Sequence, residues 1–192
     1  MRQKIFIKQT CRALLLYFIC LTIAVAIDLI FFKVKNMYHT PALAAIFSGW
    51  VYLGLIQKTK QFGAITCLGL FMSLFFFASG HFVLTFLPSL LVGLGADLLA
   101  KKGNYENDKL NLLSYMVFSL GNLAPIVTMW LAPKAYSAQL LAKGKTQDYV
   151  DQVMVPFTAN HALILIGGTL MAALIGGYIA KNWLKINSHQ SS

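Results

Sequence analysis

The sequence predicts an all-α integral membrane protein, a bundle of six transmembrane helices that forms one domain over residues 1–192, with both termini in the cytoplasm. The chain is 58% hydrophobic and only 11% charged, whereas a soluble domain carries about 25% charged residues. This deficit of charge means that most of the surface faces lipid. Six apolar runs supply the predicted spans, approximately residues 13–32, 41–57, 62–78, 82–100, 110–131 and 156–181.

The orientation follows from the basic residues. Of the 16 Lys and Arg residues, eleven fall in the N-terminal tail, the second and fourth loops and the C-terminal segment, and five fall in the other loops. Because Lys and Arg concentrate on the cytoplasmic side, both termini are expected there. The net charge of +10 is compatible with nucleic-acid binding, but the basic residues lie between apolar spans and form no stripe. We interpret them as topology signals and contacts to anionic lipids, and expect no nucleic-acid partner.

The first span, Ala13 to Phe32, follows a basic N-terminal segment. A signal peptide is the alternative interpretation, because Ala24-Val25-Ala26 resembles a cleavage site. The apolar run continues past that point to Phe32, which favours a transmembrane helix.

Spans three and four are predicted to form an antiparallel hairpin, because only Ser79-Gly80-His81 separates them. The third span is short and is aromatic at Phe75, Phe76 and Phe77. Pro88 is expected to break the fourth span.

Two further features concern polar or helix-breaking residues. Asp97 is expected to pair with Lys101, four residues further along the same helix. Gly121, Asn122 and Pro125 are expected to open the fifth helix and to free backbone carbonyls.

The longest connection, Ala132 to Val155, is predicted to be amphipathic. The sixth span then carries a ridge of small residues at four-residue spacing, Gly168, Ala172, Gly176 and Ala180. Small residues let another helix backbone approach closely, which is a main source of helix association in lipid. The ridge is therefore expected to contact a partner subunit, or alternatively to pack inside the chain's own bundle.

A small-molecule site is predicted at the outer face. With the assigned orientation, His39, His81 and His161 converge on this face, and polar and aromatic residues border it. The candidate substrate-binding residues are His39, His81, His161, Asn122, Asn160, Tyr38, Trp130 and Tyr136. Aromatic walls with a few polar groups are typical of a ligand pocket in a helix bundle. The alternative is an ordinary interfacial belt of Tyr, Trp and His.

Two ligand classes suit such a cavity. Imidazole binds metals and haem iron, so haem or a metal chelate is one hypothesis, with His81 and His161 as possible haem ligands and no metal site certain. A vitamin-like heteroaromatic held by stacking and by Asn122 or Asn160 is the other. The net positive outer loops would suit a flat anionic or neutral micronutrient.

Catalytic and nucleotide-binding patterns are absent from the sequence. It contains no Gly-x-Ser-x-Gly, no His-Glu-x-x-His and no phosphate-binding Gly-x-x-x-x-Gly-Lys-Ser/Thr. We therefore expect no enzymatic activity and no ATP hydrolysis by this chain. The alternatives are a membrane enzyme that uses His81 or His161 as a base, and an assembly subunit without a ligand.

The stretch FASGHFVLTFLPSLLVGLGADLLAKKGNY, Phe77 to Tyr105, resembles the S components of energy-coupling factor (ECF) transporters, in particular the Trep_Strep or MptD-like group. The Gly80-His81 turn and the Ala96-Asp97 helix end carry the resemblance.

The resemblance implies a substrate-capture subunit in the plasma membrane of a bacterium, which takes up a vitamin or other micronutrient. It also implies a membrane T (coupling) subunit and two ATPase subunits as partners. S components dock the T component through Ala-x-x-x-Ala patches, often in the first helix, but Ala24 and Ala26 are only two residues apart here. The nearest equivalents are Ala96 with Ala100 and the Gly168 to Ala180 ridge.

Overall fold

The computed structural model describes residues 2–32, 36, 38–79 and 82–189, and within these residues the fold is all-α without β-strands. Three of the described helices are long and apolar enough to cross a membrane, and a fourth span is added if the bent pair Thr40–Phe47 and Gly49–Thr59 counts as one. The all-α membrane class predicted from the sequence is therefore confirmed.

Each of the six predicted apolar runs contains described helix, and two shorter helices lie in the longest connection. The first helix, α1 Arg2–Ile27, continues into a π-helical turn, Asp28–Phe32, and a 3-10 turn, Val83–Thr85, precedes helix α5, Phe86–Lys102. The α-helices are α1 Arg2–Ile27, α2 Thr40–Phe47, α3 Gly49–Thr59, α4 Ala64–Ala78, α5 Phe86–Lys102, α6 Asp108–Ser119, α7 Ala124–Leu131, α8 Pro133–Ala142, α9 Gln147–Val153, α10 Ala159–Ala162 and α11 Gly168–His189.

Alternate connections meet at opposite ends of the bundle. We call one end the basic end. There an ion pair joins the connection after α3 to the connection after α5, since Lys60 Nζ lies 2.8 Å from Glu106 Oε1. A second ion pair joins the start of α6 to α11, since Lys181 Nζ lies 2.8 Å from Asp108 Oδ2. At the other, the cavity end, residues from the three remaining connections line one cavity. The helices therefore run back and forth between these two ends.

The core is built around a buried aromatic cluster. The rings of Tyr17 and Phe118 meet edge to face with centroids 5.5 Å apart, and Tyr52 lies 4.9 Å from Phe118 and 5.0 Å from Tyr115. Buried phenols need hydrogen-bond partners, and the Tyr52 hydroxyl lies 2.6 Å from the Ser114 hydroxyl. Because Tyr17 and its neighbours on α1 are buried in this core, α1 is an integral part of the bundle.

Glycines permit two close helix contacts. A Cβ on Gly176 of α11 would lie 2.6 Å from the Ala45 carbonyl oxygen, and a Cβ on Gly69 of α4 would lie 2.8 Å from the Gly93 Cα of α5. No side chain fits at these distances. The Gly69–Gly93 contact packs α4 against α5 as the predicted hairpin requires.

Asp97 is fully buried and caps a neighbouring helix. Its carboxylate accepts hydrogen bonds from the Gly63 N–H at 2.8 Å, the Thr66 N–H at 2.9 Å and the Thr66 hydroxyl at 2.8 Å. These donors lie at the N-terminus of α4, where a negative charge is favoured by the helix dipole. The predicted pair with Lys101 is wrong, since the Lys101 ammonium lies over the Phe62 ring at 5.0 Å.

Two other expectations have different outcomes. Pro88 lies in the first turn of α5, where proline lacks only an N–H that has no partner in the helix, so the helix is not broken. The fifth segment is interrupted as predicted, because Leu120–Leu123 forms a 3-10 turn between α6 and α7.

Candidate functional site

A cavity of about 320 Å³ lies at the cavity end of the bundle. Its walls come from α1, α2, α4, the α6–α7 interruption and α7, and α9 of the longest connection covers it. Most of the lining side chains are apolar or aromatic, and no lining residue that the structure describes is charged. The lining residues are Leu21, Val25, Asn36, Thr40, Pro41, Phe75, Phe76, Ser79, Asn122, Pro125, Ile126, Met129, Tyr149 and Val153.

Two side-chain amides bring unused hydrogen-bonding groups to this cavity. The Tyr17 hydroxyl donates to Asn122 Oδ1 at 3.0 Å, which orients the amide and leaves its Nδ2 buried with no partner among the described residues. The buried Oδ1 of Asn36 likewise accepts no hydrogen bond from any residue that the structure describes. An unsatisfied buried polar group costs about 1–3 kcal/mol. A bound molecule with an acceptor facing Asn122 and a donor facing Asn36 would remove both costs.

Asp28 fixes the wall of the cavity. Its carboxylate is fully buried and accepts hydrogen bonds from the His39 N–H at 3.0 Å, the Thr40 N–H at 2.8 Å and the Thr40 hydroxyl at 2.8 Å. A carboxylate at the N-terminus of α2 is stabilised by the free N–H groups and the helix dipole there. Asp28 thus ties the end of the first segment to the start of α2 and positions Thr40 and Pro41 beside the cavity.

The structure brings two of the predicted histidines together. The Tyr38 ring contacts both, with centroids 5.5 Å from His39 and 5.8 Å from His161. His39 Nδ1 lies 3.0 Å from Asp28 Oδ1 and its ring stacks on Phe32, while His161 Nδ1 lies 2.9 Å from the Pro156 carbonyl oxygen.

These three residues form a row beside the cavity, but none of them lines it. His81 lies outside the described residues. The described geometry therefore gives no support to a haem held by His39 or His161 inside this cavity, and within the described residues no cluster of three or more His, Cys, Asp or Glu side chains could hold a metal ion.

Of the remaining predicted substrate-binding residues, only Asn122 lines the cavity. Asn160 is exposed. Tyr136 is buried against Phe82, with ring centroids 6.1 Å apart, and Trp130 packs on Phe157 at 5.4 Å. Trp130 and Tyr136 thus belong to a second, smaller apolar core under α8 and α9 and support the site without lining it.

Most of the residues predicted to dock a partner subunit are buried. Ala172, Gly176 and Ala180 are buried within the chain, where α11 packs on α2 and α3, and only Gly168 of this ridge is exposed. Ala96 and Ala100 are also fully buried. Helices of the same chain therefore pack against all five residues, as the alternative of packing inside the bundle predicts, and the docking of a partner subunit stays a prediction.

Sequence reasoning missed most of the cavity wall. Phe75 and Phe76 were visible as part of an aromatic run, and Tyr149 and Val153 as the apolar face of an amphipathic segment. Asn36, Thr40 and Ser79 carried no such signal, because a polar residue in a connecting loop looks the same whether it faces solvent or a cavity.

At the basic end, Tyr105 completes the shell around Asp97. Its hydroxyl donates to Asp97 Oδ1 at 2.9 Å, and burial, together with this bond and the charge of the carboxylate, raises the pKa of the Tyr105 phenol. The Lys60 ammonium lowers the pKa of the exposed Glu106 carboxyl. These contacts tie the second and fourth connections together and leave the cavity at the opposite end.

No curated protein and no solved structure matches the chain. A family model described as a hypothetical bacterial integral membrane protein, Trep_Strep, matches residues 13–186. The match includes the described residues that line the cavity and extends over all the predicted spans. The chain belongs to the Trep_Strep family of bacterial integral membrane proteins.

Proposed function

We propose that this protein is the substrate-binding S component of an ECF-type importer and that it captures a micronutrient in the cavity at the cavity end. The observation that carries the proposal is an apolar cavity, covered by α9, whose two lining amides each keep one buried atom, Asn36 Oδ1 and Asn122 Nδ2, without a partner among the described residues. A cavity with apolar walls and a few convergent polar groups is the usual form of a small-molecule site. In this role the chain itself carries out no chemistry.

The proposal includes a topology of six spans in the bacterial plasma membrane with both termini in the cytoplasm. It is supported by the alternation of the connections between two ends and by the eleven Lys and Arg residues of the predicted inner segments. The cavity then opens to the outside, as capture for import requires.

Cysteine labelling tests this topology. Glu106→Cys and Ala142→Cys, each in a background without the three native cysteines, place a thiol at an exposed position near each end. An impermeant reagent is expected to label position 142 in intact cells and position 106 only after permeabilisation. The reverse pattern would invert the topology.

The cavity favours a small neutral ligand with a flat ring. No charged side chain among the described residues lines the cavity, and a buried charge without a partner is strongly disfavoured. The rings of Phe75, Phe76 and Tyr149 offer surfaces for stacking. The volume of about 320 Å³ lies at the lower end of the ~300–1,000 Å³ range of ligand pockets, which favours a vitamin-like heteroaromatic over haem.

The proposed partners are a membrane T subunit and two ATPase subunits. The absence of a phosphate-binding loop from this sequence means that energy for import comes from elsewhere. Because the small-residue ridge is covered by α2 and α3, the T subunit would dock on an exposed helix face.

Affinity capture of the tagged chain from its bacterial membrane tests the proposed assembly. We expect a second membrane subunit and ATP-binding subunits to co-purify, and uptake of the captured molecule to stop when the ATPase is inactivated. A chain that purifies alone, with uptake independent of ATP, would contradict the proposal. Conversion of the bound molecule would instead indicate an enzyme, and a stable assembly without any bound molecule would indicate an assembly subunit.

A further inference from the structure

Two surface depressions of different character meet at one pair of tryptophans. The rings of Trp50 on α3 and Trp183 on α11 lie edge to face with centroids 6.4 Å apart. Both tryptophans line an apolar groove of about 390 Å³ on one side and a smaller pocket of about 100 Å³ on the other. The two depressions therefore form one continuous surface, which we call the tryptophan groove.

The apolar half of the tryptophan groove runs toward the middle of the bundle. Besides the tryptophans, it is lined by Ile46, Gly176, Ile179 and Ala180. Gly176 and Ala180 are buried at its floor, where α2 packs on α11, and the exposed Ile46 and Ile179 form its apolar sides. A hydrocarbon chain fits such a lining.

The polar half of the tryptophan groove is basic. Gln9 and Arg12 of α1 and Lys58 of α3 line the small pocket. Neither Arg12 nor Lys58 forms an ion pair with any carboxylate in the described part of the chain, whereas Lys60 and Lys181 at the same end do. Two cations that share a pocket without an acidic partner favour an anionic group.

The groove is short along the helices. A Cβ on Gly49 of α3 would meet Gly176 of α11, and a Cβ on Gly54 would meet Leu184, so α3 and α11 run side by side in the same direction. At ~1.5 Å per residue, the groove therefore extends ~13 Å from the level of Gly176 to Lys58. This length accommodates a phosphate group and the adjoining part of one acyl chain.

We infer that the tryptophan groove binds one anionic phospholipid. The phosphate lies between Arg12 and Lys58, and one acyl chain passes the tryptophans and lies along Ile46 and Ile179. This site is separate from the ligand cavity, which lies at the opposite end of the bundle and shares no lining residue with it. The inference depends on the membrane location of the chain and is independent of the transported molecule.

Native mass spectrometry of the purified protein with equal amounts of phosphatidylglycerol and phosphatidylcholine tests the inference. We expect the wild type to retain one phosphatidylglycerol. The double variant Arg12→Gln/Lys58→Gln should bind it roughly thirtyfold more weakly, since each of the two basic residues near a lipid surface contributes about 1 kcal/mol and about 1.4 kcal/mol is a factor of ten. The matched control, Lys102→Gln/Lys109→Gln, removes the same charge from exposed positions at the same end outside the groove and should bind as the wild type does.

A second measurement locates the acyl chain. In a Trp130→Phe background Trp50 and Trp183 are the remaining tryptophans, and phosphatidylglycerol brominated on its acyl chain should quench their fluorescence, excited selectively over that of tyrosine, more strongly than brominated phosphatidylcholine does. Equal loss of lipid from both double variants, or no preference for the anionic lipid, would overturn the site. Displacement of the lipid by millimolar glycerol phosphate would instead indicate a site for a soluble phosphate and would also overturn it.

Discussion

The Tyr17 hydroxyl donates a hydrogen bond to Asn122 Oδ1 at 3.0 Å, across 105 positions of sequence. This contact fixes the amide at the interruption between α6 and α7 and leaves its N–H groups without a partner in the described structure. The interruption therefore both frees the backbone and holds a polar side chain at an apolar cavity.

Replacement of Asn122 by Ala should weaken ligand binding by roughly tenfold, which corresponds to one hydrogen bond of about 1.4 kcal/mol. Tyr17→Phe keeps the amide and the ring, so it should weaken binding less. Calorimetric titration of each variant with the ligand measures the difference. Equal affinity of Asn122→Ala and the wild type would show that the amide does not touch the ligand.

The buried carboxylate of Asp28 should be essential for stability. Asp28→Asn replaces one carboxylate oxygen by an NH2 group and removes the negative charge at the N-terminus of α2, so we expect the free energy of unfolding to fall by roughly 1–2 kcal/mol. Thermal unfolding in detergent measures the change. Asp148→Asn, at an exposed position in α9, is the matched control and should shift the unfolding temperature little. A variant at position 28 as stable as this control would refute the assigned role.

The packing of α11 can be tested with two alanines. Gly176→Ala forces a Cβ to within 2.6 Å of the Ala45 carbonyl oxygen, and this overpacking should cost about 1–3 kcal/mol. Gly168→Ala lies on the same helix with no other atom within 4 Å and should be neutral or slightly stabilising. If both variants unfold at the same temperature, α11 does not pack on α2 and α3 as described.

The contact between Tyr105 and Asp97 predicts that the stability of the folded protein depends on pH in alkaline solution. The pKa of the Tyr105 phenol is raised in the folded protein, so the unfolded chain loses this proton first as the pH rises. The resulting stabilisation is complete below the ordinary tyrosine pKa of ~10 and is lost as the pH rises toward the raised value.

Tyr105→Phe isolates this contribution. The variant should be less stable than the wild type near pH 7 by about 1 kcal/mol, for the lost hydrogen bond. Its unfolding temperature should also fall less steeply between pH 9 and 11. If the unfolding temperatures of the two proteins fall in parallel as the pH rises, Tyr105 does not ionise at a higher pH in the folded state than in the unfolded chain.

The sequence predicted the helices well because lipid imposes a length and an apolar composition on each span. It also located the cavity at the end where the first, third and fifth connections meet, since alternation of the spans decides which loops share an end. The interruption near Asn122 was predictable from glycine and proline chemistry. These features depend on the local sequence and on the number of spans that separate two loops.

The failed predictions concern the direction of side chains. Asp97 has a lysine four residues away, yet it caps α4, because a buried carboxylate needs the N–H groups that only a neighbouring helix supplies. The sequence showed the Gly176 ridge but not which helix packs on it, since small residues favour any close helix, whether it belongs to the same chain or to another. Tyr136 looked like a cavity residue and is buried in the adjacent core.

Mass spectrometry of small molecules released from the purified protein tests the central claim most directly. We expect the wild type to release a neutral compound in near-stoichiometric amount. Val25→Trp, which fills the cavity, should release little, while Ile23→Trp, at an exposed position on the same helix, should retain it. If the folded wild type holds no small molecule, and none from a vitamin library raises its unfolding temperature, the cavity is not a capture site.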